Sequence, residues 1–453
     1  MNINAFKVRA VKPFSKIVIA YRYIHPMKKA LLLLICWRVF SCYAQPIDTT
    51  SRLAATYFKE AETAAKNQKL WAIDFYGPIM FVDQQSRITY ANMPDSAGIL
   101  KKDGEIYKGF LPKDVMVANT ALHWGGRLWS VILWPLPQNH DDRLNLVMHE
   151  SFHRVQVRLG LPMHNPTAAH LSTLYGRIYF LLELQALRDA LSKPVNQRQN
   201  DLTSALLFRA KRAALFPRSF GNERLLEMNE GLAEYTGVML GRPKDSIIQH
   251  LYQVIAHAAS RQSLIRSAPY ITGPIYGYLL YQQNPEWTLK IDSNASFPAL
   301  TAANYHLQIP ADQLDKEVDR RSDQYDGKTI ISCEKQKEAI RQKKFNDYVS
   351  GFTKQPVLTI KLIPQNFVFD PNNLFDLGEY GTVYPTAQLK DSWGELIVSD
   401  NGVLMKDWAV ITLMVGEGTS VNGQVITGKG WQISLNHGWK MIKIDELHYK
   451  LAK

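Results

Sequence analysis

Apolar positions in the first third of the chain change from a helical to an extended spacing. Between residues 46 and 66, Leu53, Tyr57 and Ala61 recur on one face behind a capping Ser51, which predicts a helix. From Leu70 onward, short runs rich in aromatic and β-branched residues are separated by glycine, proline and aspartate. Such runs predict strands, here at 71–76, 79–82, 87–90 and 127–134.

A 3.6-residue apolar period dominates the middle of the chain, from Asp141 to about Gln283. It predicts helices at 141–160, 167–192, 197–216, 222–240, 244–262 and 272–283, and a charged helical connector at 333–350. From Pro356 the period falls to two, and turn sequences such as Asn436-His437-Gly438 recur. This alternation predicts a C-terminal all-β domain.

Together these patterns predict an α+β multidomain protein. We expect a leader at 1–45, an N-terminal helix and mixed β region at 46–140, a helical domain at 141–330, a connector at 331–355 and a β domain at 356–453. A length of 453 residues is too great for one ordinary core. The 46% hydrophobic and 21% charged residues exclude a disordered chain, and three cysteines exclude a disulfide scaffold.

The net charge of +12 belongs mostly to the leader. Residues 1–45 hold eight lysines and arginines and no acid, which leaves 45 basic and 41 acidic residues in the remainder. Such a balance does not favour a nucleic-acid partner. Within the leader, Met27 starts a basic segment, residues 30–37 are apolar, and small residues precede Gln45, as in a secretory signal peptide.

We therefore expect an exported protein, periplasmic or extracellular, whose translation starts at Met27 and whose leader is cleaved after Ala44. An alternative is lipidation of Cys42, because Val39-Phe40-Ser41-Cys42 is an imperfect lipobox. Membrane attachment is expected only in that case. The sequence does not determine the oligomeric state.

The strongest chemical signal is the H-E-x-x-H motif formed by His149, Glu150 and His153. On a helix, residues four apart lie on one face, so both imidazoles can bind one Zn²⁺ ion. Glu150 can then take a proton from a water that the metal activates. The alternative is a pair of exposed histidines on a solvated helix face. Asp141 is the expected N-cap of this helix.

Two histidines and a water leave a tetrahedral zinc one protein ligand short. A carboxylate on a facing helix is one way to complete the set. The segment Asn229-Glu230-Gly231-Leu-Ala233-Glu-Tyr235 resembles the N-E-G-x-A-x-Y stretch of gluzincin zinc metallopeptidases, the thermolysin-like and aminopeptidase N-like enzymes. This resemblance implies a zincin-like domain at 141–330 with Glu230 as the third ligand. Glu234, one turn later, is then a partner of a ligand histidine or an alternative ligand.

A further segment, Pro269-Tyr270-Ile-Thr-Gly273, resembles the P-Y-x-x-G stretch of the same group. The resemblance implies that the Tyr270 hydroxyl stabilises the oxyanion of the tetrahedral intermediate. Tyr276 and Tyr278 are alternatives for this role, and simple packing of all three tyrosines is another.

The chain also departs from that family. As many as 76 residues separate His153 from Glu230, enough for two extra helices that could cap the cleft, and they offer Glu183 as a rival ligand. The G-x-M-E-N stretch that binds a free N-terminus in aminopeptidases is missing before the metal helix, so aminopeptidase specificity is not supported. At that position, before the helix of the H-E-x-x-H motif, this chain has the predicted strand at 127–134. We expect it to pair with substrate backbone at a sheet edge through Ser130, Val131 and Ile132.

The sequence thus predicts an exported zinc metallopeptidase that hydrolyses a peptide or protein substrate. One alternative is a non-catalytic envelope binding protein with a structural metal site. Its ligand would bind the C-terminal domain, which contains Trp393, Trp408, Trp431 and Trp439. Another is a metal-free helical scaffold, although neither alternative needs Glu150.

Overall fold

A computed structural model describes residues 49–161, 163–261, 263–362, 367–369 and 373–453. The predicted leader, with Met27 and Cys42, lies outside the described residues. Within those ranges, no helix has both the length and the apolar character needed to cross a bilayer. The predicted α+β class is confirmed, since the described chain contains helices, an N-terminal sheet and a C-terminal all-β region.

The N-terminal region consists of one helix packed on a six-stranded sheet. Helix α1 (Thr49–Lys66) buries Ala54, Phe58 and Ala61, and the ring of Phe58 stacks on Phe81 of the sheet at a centroid distance of 4.3 Å. The strands are β1 (Ile79–Asp83), β2 (Ile88–Ala91), β3 (Lys101–Asp103), β4 (Ile106–Phe110), β5 (Thr120–Trp124) and β6 (Arg127–Trp134). Their order is β3-β4-β2-β1-β6-β5, and only β1 and β6 are parallel.

The strand predicted at 71–76 is wrong. Trp71 and Phe75 are buried in an irregular segment, and the Trp71 indole donates a hydrogen bond to the Thr236 hydroxyl at 3.0 Å. The backbone carbonyl of Trp71 accepts from the Gln68 side chain at 2.9 Å instead of from a neighbouring strand. The aromatic residues of this segment are there because they pack in the core, and their enrichment alone was not evidence of a strand.

The prediction that Ser130, Val131 and Ile132 form a sheet edge is also wrong. Strand β6 lies inside the sheet, where Ser130 pairs with Ile79 on one side and with Ala121 on the other. The cause is the Gly125-Gly126 turn, whose φ values of 54° and 75° suit a tight hairpin. The hairpin places β5 outside β6, so β5 is the edge strand.

The helical region begins with α2 (His140–Gln156), and each of the six segments expected to be helical between 141 and 283 contains helix, although one of them is divided into two helices. They are followed by α9 and α10, which the sequence did not predict, and by the long connector helix α11. The remaining bounds are α3 (Leu174–Leu191), α4 (Gln199–Leu215), α5 (Pro217–Leu226), α6 (Leu232–Gly241), α7 (Ile247–Ala258), α8 (Pro269–Gln283), α9 (Phe297–Asn304), α10 (Leu314–Ser322) and α11 (Gly327–Thr353). The N-cap of α2 is Asn139, whose side chain accepts from the Asp142 amide, and not the expected Asp141.

The segment predicted as one helix at 222–240 is interrupted. A π-helical turn, Glu227–Gly231, joins α5 to α6 and contains Glu230. Wider turns of this kind shift the direction of the side chains that follow and are frequent at functional sites. The apolar period alone does not reveal such a turn, because the pattern continues on both sides of it.

Two glycine contacts let the central helices approach closely. A Cβ atom on Gly241 would lie 2.4 Å from the Asn145 backbone nitrogen, so α6 crosses α2 at backbone distance. A Cβ atom on Gly273 would lie 2.3 Å from the Gly231 Cα, so α8 crosses the π-helical turn in the same way. These crossings bring α2, the π-helical turn and the start of α8 together.

The C-terminal region contains two antiparallel-rich sheets that share one apolar core. Its strands are β7 (Val357–Lys361), β8 (Phe367–Phe369), β9 (Phe375–Asp376), β10 (Thr382–Tyr384), β11 (Ala387–Asp391), β12 (Gly394–Val398), β13 (Val403–Lys406), β14 (Val410–Met414), β15 (Ser420–Asn422), β16 (Val425–Gly428), β17 (Trp431–Leu435), β18 (Lys440–Lys443) and β19 (His448–Ala452). The sheet orders are β18-β19-β7-β14-β13-β10-β9 and β15-β16-β17-β12-β11-β8. Trp393 and Trp431 are buried in the core, whereas Trp408 is exposed.

We expect Gly273→Ala to destabilise the protein by about 1–3 kcal/mol, because its methyl group would overlap backbone that cannot move aside. Urea denaturation measures this loss. The matched control is Gly221→Ala in α5, where a Cβ atom meets nothing within 4 Å and a helical alanine should stabilise slightly. Equal effects of the two substitutions would contradict the close crossing.

Candidate metal centre

One polar stripe runs along α2 and faces α6. Asn145, His149, His153 and Gln156 lie four, four and three residues apart, which places them on the same side of the helix. All but Asn145 are buried, so the stripe points into the protein and not into solvent. Buried polar groups need partners, and the π-helical turn and α6 supply them.

The two imidazoles and the Glu230 carboxylate converge on one point. His149 Nε2 and His153 Nε2 are 3.2 Å apart, and Glu230 Oε2 lies 3.4 Å from the first and 3.5 Å from the second. Donors about 2.0–2.1 Å from a tetrahedral zinc lie about 3.3–3.4 Å from one another. The three separations therefore fit a tetrahedral ion, and this is a group of residues that could hold a metal.

The opposite ring nitrogens are held by side chains that orient both rings. Glu234 Oε2 lies 2.9 Å from His149 Nδ1, and Gln156 Oε1 lies 2.9 Å from His153 Nδ1. A carboxylate only accepts hydrogen bonds, so His149 carries a proton on Nδ1 and directs Nε2 at the converging point, where a bound metal ion would take the place of a second ring proton. Asn145 donates to the other oxygen of Glu234 at 3.2 Å and fixes that carboxylate.

The third donor is held just as firmly. The Asn229 side chain donates to Glu230 Oε1 at 3.0 Å, and the Gln156 side chain in turn donates to Asn229 Oδ1 at 3.1 Å. The Tyr270 hydroxyl donates to Glu230 Oε2 at 2.5 Å. The Tyr270 ring stacks parallel to the His149 ring at 5.6 Å. One network thus orients all three donors before any ion binds.

The electrostatics of the site favour a positive charge. Burial lowers the pKa of His149, but hydrogen bonds with Glu230 and Glu234 outweigh it and raise that pKa to about 10. Burial raises the pKa of Glu230, yet the two imidazoles and Tyr270 lower it well below its ordinary value. An environment that keeps Glu230 ionised and favours positive charge on His149 would also stabilise a divalent cation.

Glu150 lies beside the converging point without being part of the donor set. Its side chain is buried, and its Oε2 atom has no hydrogen-bond partner among the described residues. Burial raises the pKa of Glu150, more than the two nearby imidazoles lower it. A buried carboxylate oxygen without a partner is destabilising by itself, and a carboxylate with raised pKa is well suited to accept a proton from a bound water.

A cavity of about 550 Å³ opens onto these groups. It is lined by Asn119, Thr120, Asn145, Leu146, His149, Glu150, His153, Met163, Asn165, Asn229, Glu230, Glu234 and Tyr270. A larger cavity of about 700 Å³ lies between α3 and α7 and contains none of these residues. The smaller cavity is the candidate substrate site, because it holds the perturbed groups.

The rival ligand Glu183 and the two alternative tyrosines considered from the sequence do not line this centre. Glu183 is fully buried and hydrogen-bonded to Arg209, Arg212 and Tyr276, so it is not a metal ligand. Tyr276 is committed to Glu183 and Tyr278 accepts from Gln282, which leaves Tyr270 as the only tyrosine that lines the cavity in the described chain. The inserted helices α3 and α4 do not cap the cleft, since none of their described residues lines it.

Several residues of the site escaped the sequence analysis. Asn145 and Gln156 follow the helical spacing of the motif, so their positions relative to His149 and His153 were a usable signal. Asn119, Thr120, Met163 and Asn165 lie in loops or at a strand end, where no spacing rule indicates which side chains reach the cavity.

No protein-family model matches the chain, and neither a curated protein nor a solved structure matches it. The chemistry of the site is therefore inferred from its own geometry.

We expect Glu230→Gln to weaken zinc binding more than Glu234→Gln, because Glu230 faces both Nε2 atoms whereas Glu234 only orients one ring. The loss for Glu234→Gln should be about 10–100-fold. Competition with a chromophoric chelator measures both affinities, and His123→Ala, which alters an exposed residue of β5, is the control. A larger loss for Glu234→Gln would reassign the ligand.

Proposed function

We propose that this protein is an exported zinc-dependent metallopeptidase of the gluzincin type, in which residues 141–330 form a zincin-like catalytic domain. One observation carries the proposal: three donors with tetrahedral separations line an open cavity together with Glu150, whose Oε2 atom has no hydrogen-bond partner among the described residues. The donor set of two nitrogens and one oxygen suits zinc and leaves a coordination position for water or substrate.

His149, His153 and Glu230 would hold the ion. Zinc bound there would polarise the scissile carbonyl and make a water molecule more acidic. Glu150, which lines the same cavity, would accept a proton from the attacking water and deliver it to the leaving amine. Its burial and raised pKa support both transfers, because they bring its proton affinity nearer to neutral pH.

Tyr270 is suited to stabilise negative charge on the carbonyl oxygen. Burial and the nearby Glu230 carboxylate raise the pKa of its hydroxyl, so it remains a proton donor at neutral pH. Its single hydroxyl hydrogen is donated to Glu230 Oε2 and would turn from that oxygen to the oxyanion, while its ring stays stacked on His149. A donor held beside the ion is the arrangement an oxyanion requires.

Strand β5 is suited to hold an extended peptide. It is the outer strand of its sheet, and its first residue, Thr120, lines the cavity. The backbone N–H of Ser130 donates to the carbonyl oxygen of Pro78, which lies just before β1. The backbone N–H and C=O of Ser130 therefore point away from β5. Ala121 and Ser130 therefore form a non-hydrogen-bonded pair of the antiparallel ladder. In such a pair the N–H and C=O of Ala121 point away from β6, where a substrate backbone can pair with them.

The geometry also favours catalysis over the alternative of a non-catalytic binding protein with a structural metal site. A structural zinc is closed by a fourth protein ligand, whereas the described residues contribute three donors and an adjoining cavity. The C-terminal β domain would then be an accessory region. Export rests on the sequence of the leader.

We expect Glu150→Gln to retain zinc and to lower peptide hydrolysis by at least about 100-fold, since the amide cannot accept the proton. Metal analysis and hydrolysis of a casein-type protein substrate test both parts. Asp141→Asn, at the exposed start of the same helix, should leave both unchanged. Full activity of the zinc-loaded Glu150→Gln protein would remove the mechanism.

We expect Ala121→Pro to lower kcat/KM for peptides by about tenfold or more with unchanged zinc affinity. Proline removes one outward N–H but no bond to β6, and edge strands tolerate it. Ala121→Ser keeps the N–H and is the matched control. An unaltered kcat/KM in the proline variant would mean that substrate does not pair with β5.

A further inference from the structure

A cluster of five charged side chains lies buried behind the metal centre. Glu183 of α3, Arg209 and Arg212 of α4, Glu223 of α5 and Glu227 of the π-helical turn are each no more than 2% exposed. We refer to these five residues as the buried ionic cluster. Helices α3 and α4 meet in it with the consecutive α5 and π-helical turn.

The cluster is densely bonded. Arg209 binds Glu227 through two nitrogens at 2.9 and 2.5 Å and also reaches Glu183 at 3.1 Å. Arg212 binds Glu183 at 2.6 Å and Glu223 at 2.6 Å. Both arginines therefore contact Glu183 and grip a further carboxylate through two nitrogens, Glu227 for Arg209 and Glu223 for Arg212. Arg209 also lies 3.3 Å from Glu223.

Stability alone is a poor explanation for such a cluster. Removing several charges from water costs about as much as their mutual attraction returns, and packed apolar side chains often stabilise a fold equally well. Contacts between apolar side chains are not directional, whereas a bidentate guanidinium–carboxylate pair fixes both the distance between the two groups and their relative orientation. The cluster is thus better suited to specify a geometry than to add stability.

The geometry it specifies is that of the third metal donor. Glu227 is the first residue of the π-helical turn that contains Glu230. The Thr272 hydroxyl donates to Glu227 at 2.6 Å, and two residues earlier Tyr270 donates to Glu230 at 2.5 Å. Two parallel hydrogen bonds therefore connect α8 to the π-helical turn, one ending in the cluster and the other ending at the donor.

Only one of the two arginines is coupled to that turn by a bidentate contact. Arg209 grips Glu227 inside the turn, while Arg212 grips Glu223, which lies in the preceding regular helix α5. We propose that Arg209 and Glu227 are positioning residues of the metal centre, which hold the π-helical turn so that Glu230 faces the imidazoles of α2. The inference rests on the metal site of the proposed function and not on peptide hydrolysis.

Two charge-balanced double variants test the proposal. Arg209→Met with Glu227→Gln removes the pair inside the turn, and Arg212→Met with Glu223→Gln removes the equivalent pair outside it. Each leaves Glu183 one arginine and the same net charge. Zinc affinity, the absorption spectrum of the Co²⁺-substituted protein and the thermal midpoint are measured for both, with the metal ions alone as probes.

We expect the first double variant to lose zinc affinity at least tenfold and to alter the Co²⁺ spectrum. The second should keep the affinity within threefold and the spectrum unchanged at a similar loss of thermal stability. Similar zinc affinities in the two variants would overturn the proposal and leave the cluster a purely structural device. If the first double variant does not fold, Glu227→Gln alone must show the spectral change, and an unchanged spectrum would again overturn the proposal.

The outcomes also separate this inference from the proposed function. A wild-type protein that binds no zinc would end both. A wild-type protein that binds zinc but cleaves no peptide would end the proposed hydrolysis alone, because the comparison of the two double variants depends on metal binding only.

Discussion

The constraint on which this structure depends is the burial of a carboxylate against two imidazoles. Glu230 can stay ionised in that position only because the rings of His149 and His153 compensate its charge, and the rings can be buried only because carboxylates and amides bind their far nitrogens. No member of the set is stable there alone. The arrangement requires helices that approach at backbone distance, and the glycines at 241 and 273 permit that approach.

The same constraint gives a role to the 76 residues that separate His153 from Glu230. Helices α3 and α4 lie outside the cavity and contribute Glu183, Arg209 and Arg212 to the buried ionic cluster. They therefore support the back of the site instead of covering its entrance. A protein that needs a buried carboxylate on an irregular turn gains from a rigid support on the opposite side of that turn.

The candidate substrate site combines elements of two regions. The helical region supplies the three donors, Glu150 and Tyr270, whereas β5 of the N-terminal sheet supplies an open strand edge with Thr120 at the cavity. The hairpin at Gly125-Gly126 decides which strand has the free edge, because it reverses the chain before β6 enters the sheet. The sequence pattern identifies β6 as the more hydrophobic strand, but it does not show that β6 lies inside the sheet and that β5 forms its edge.

The sequence by itself determined the helical register of the motif, because a spacing of four residues puts His149 and His153 on one face in any α-helix. It also determined the α+β class and the β character of the C-terminal region, since periods of 3.6 and two residues depend only on local geometry. Only the tertiary structure decided which carboxylate meets the imidazoles, which tyrosine lines the cavity and which strand forms the sheet edge. Those choices depend on the π-helical turn, on close helix crossings and on strand order, all of which arise from contacts between residues far apart in the chain and leave no periodic trace in it.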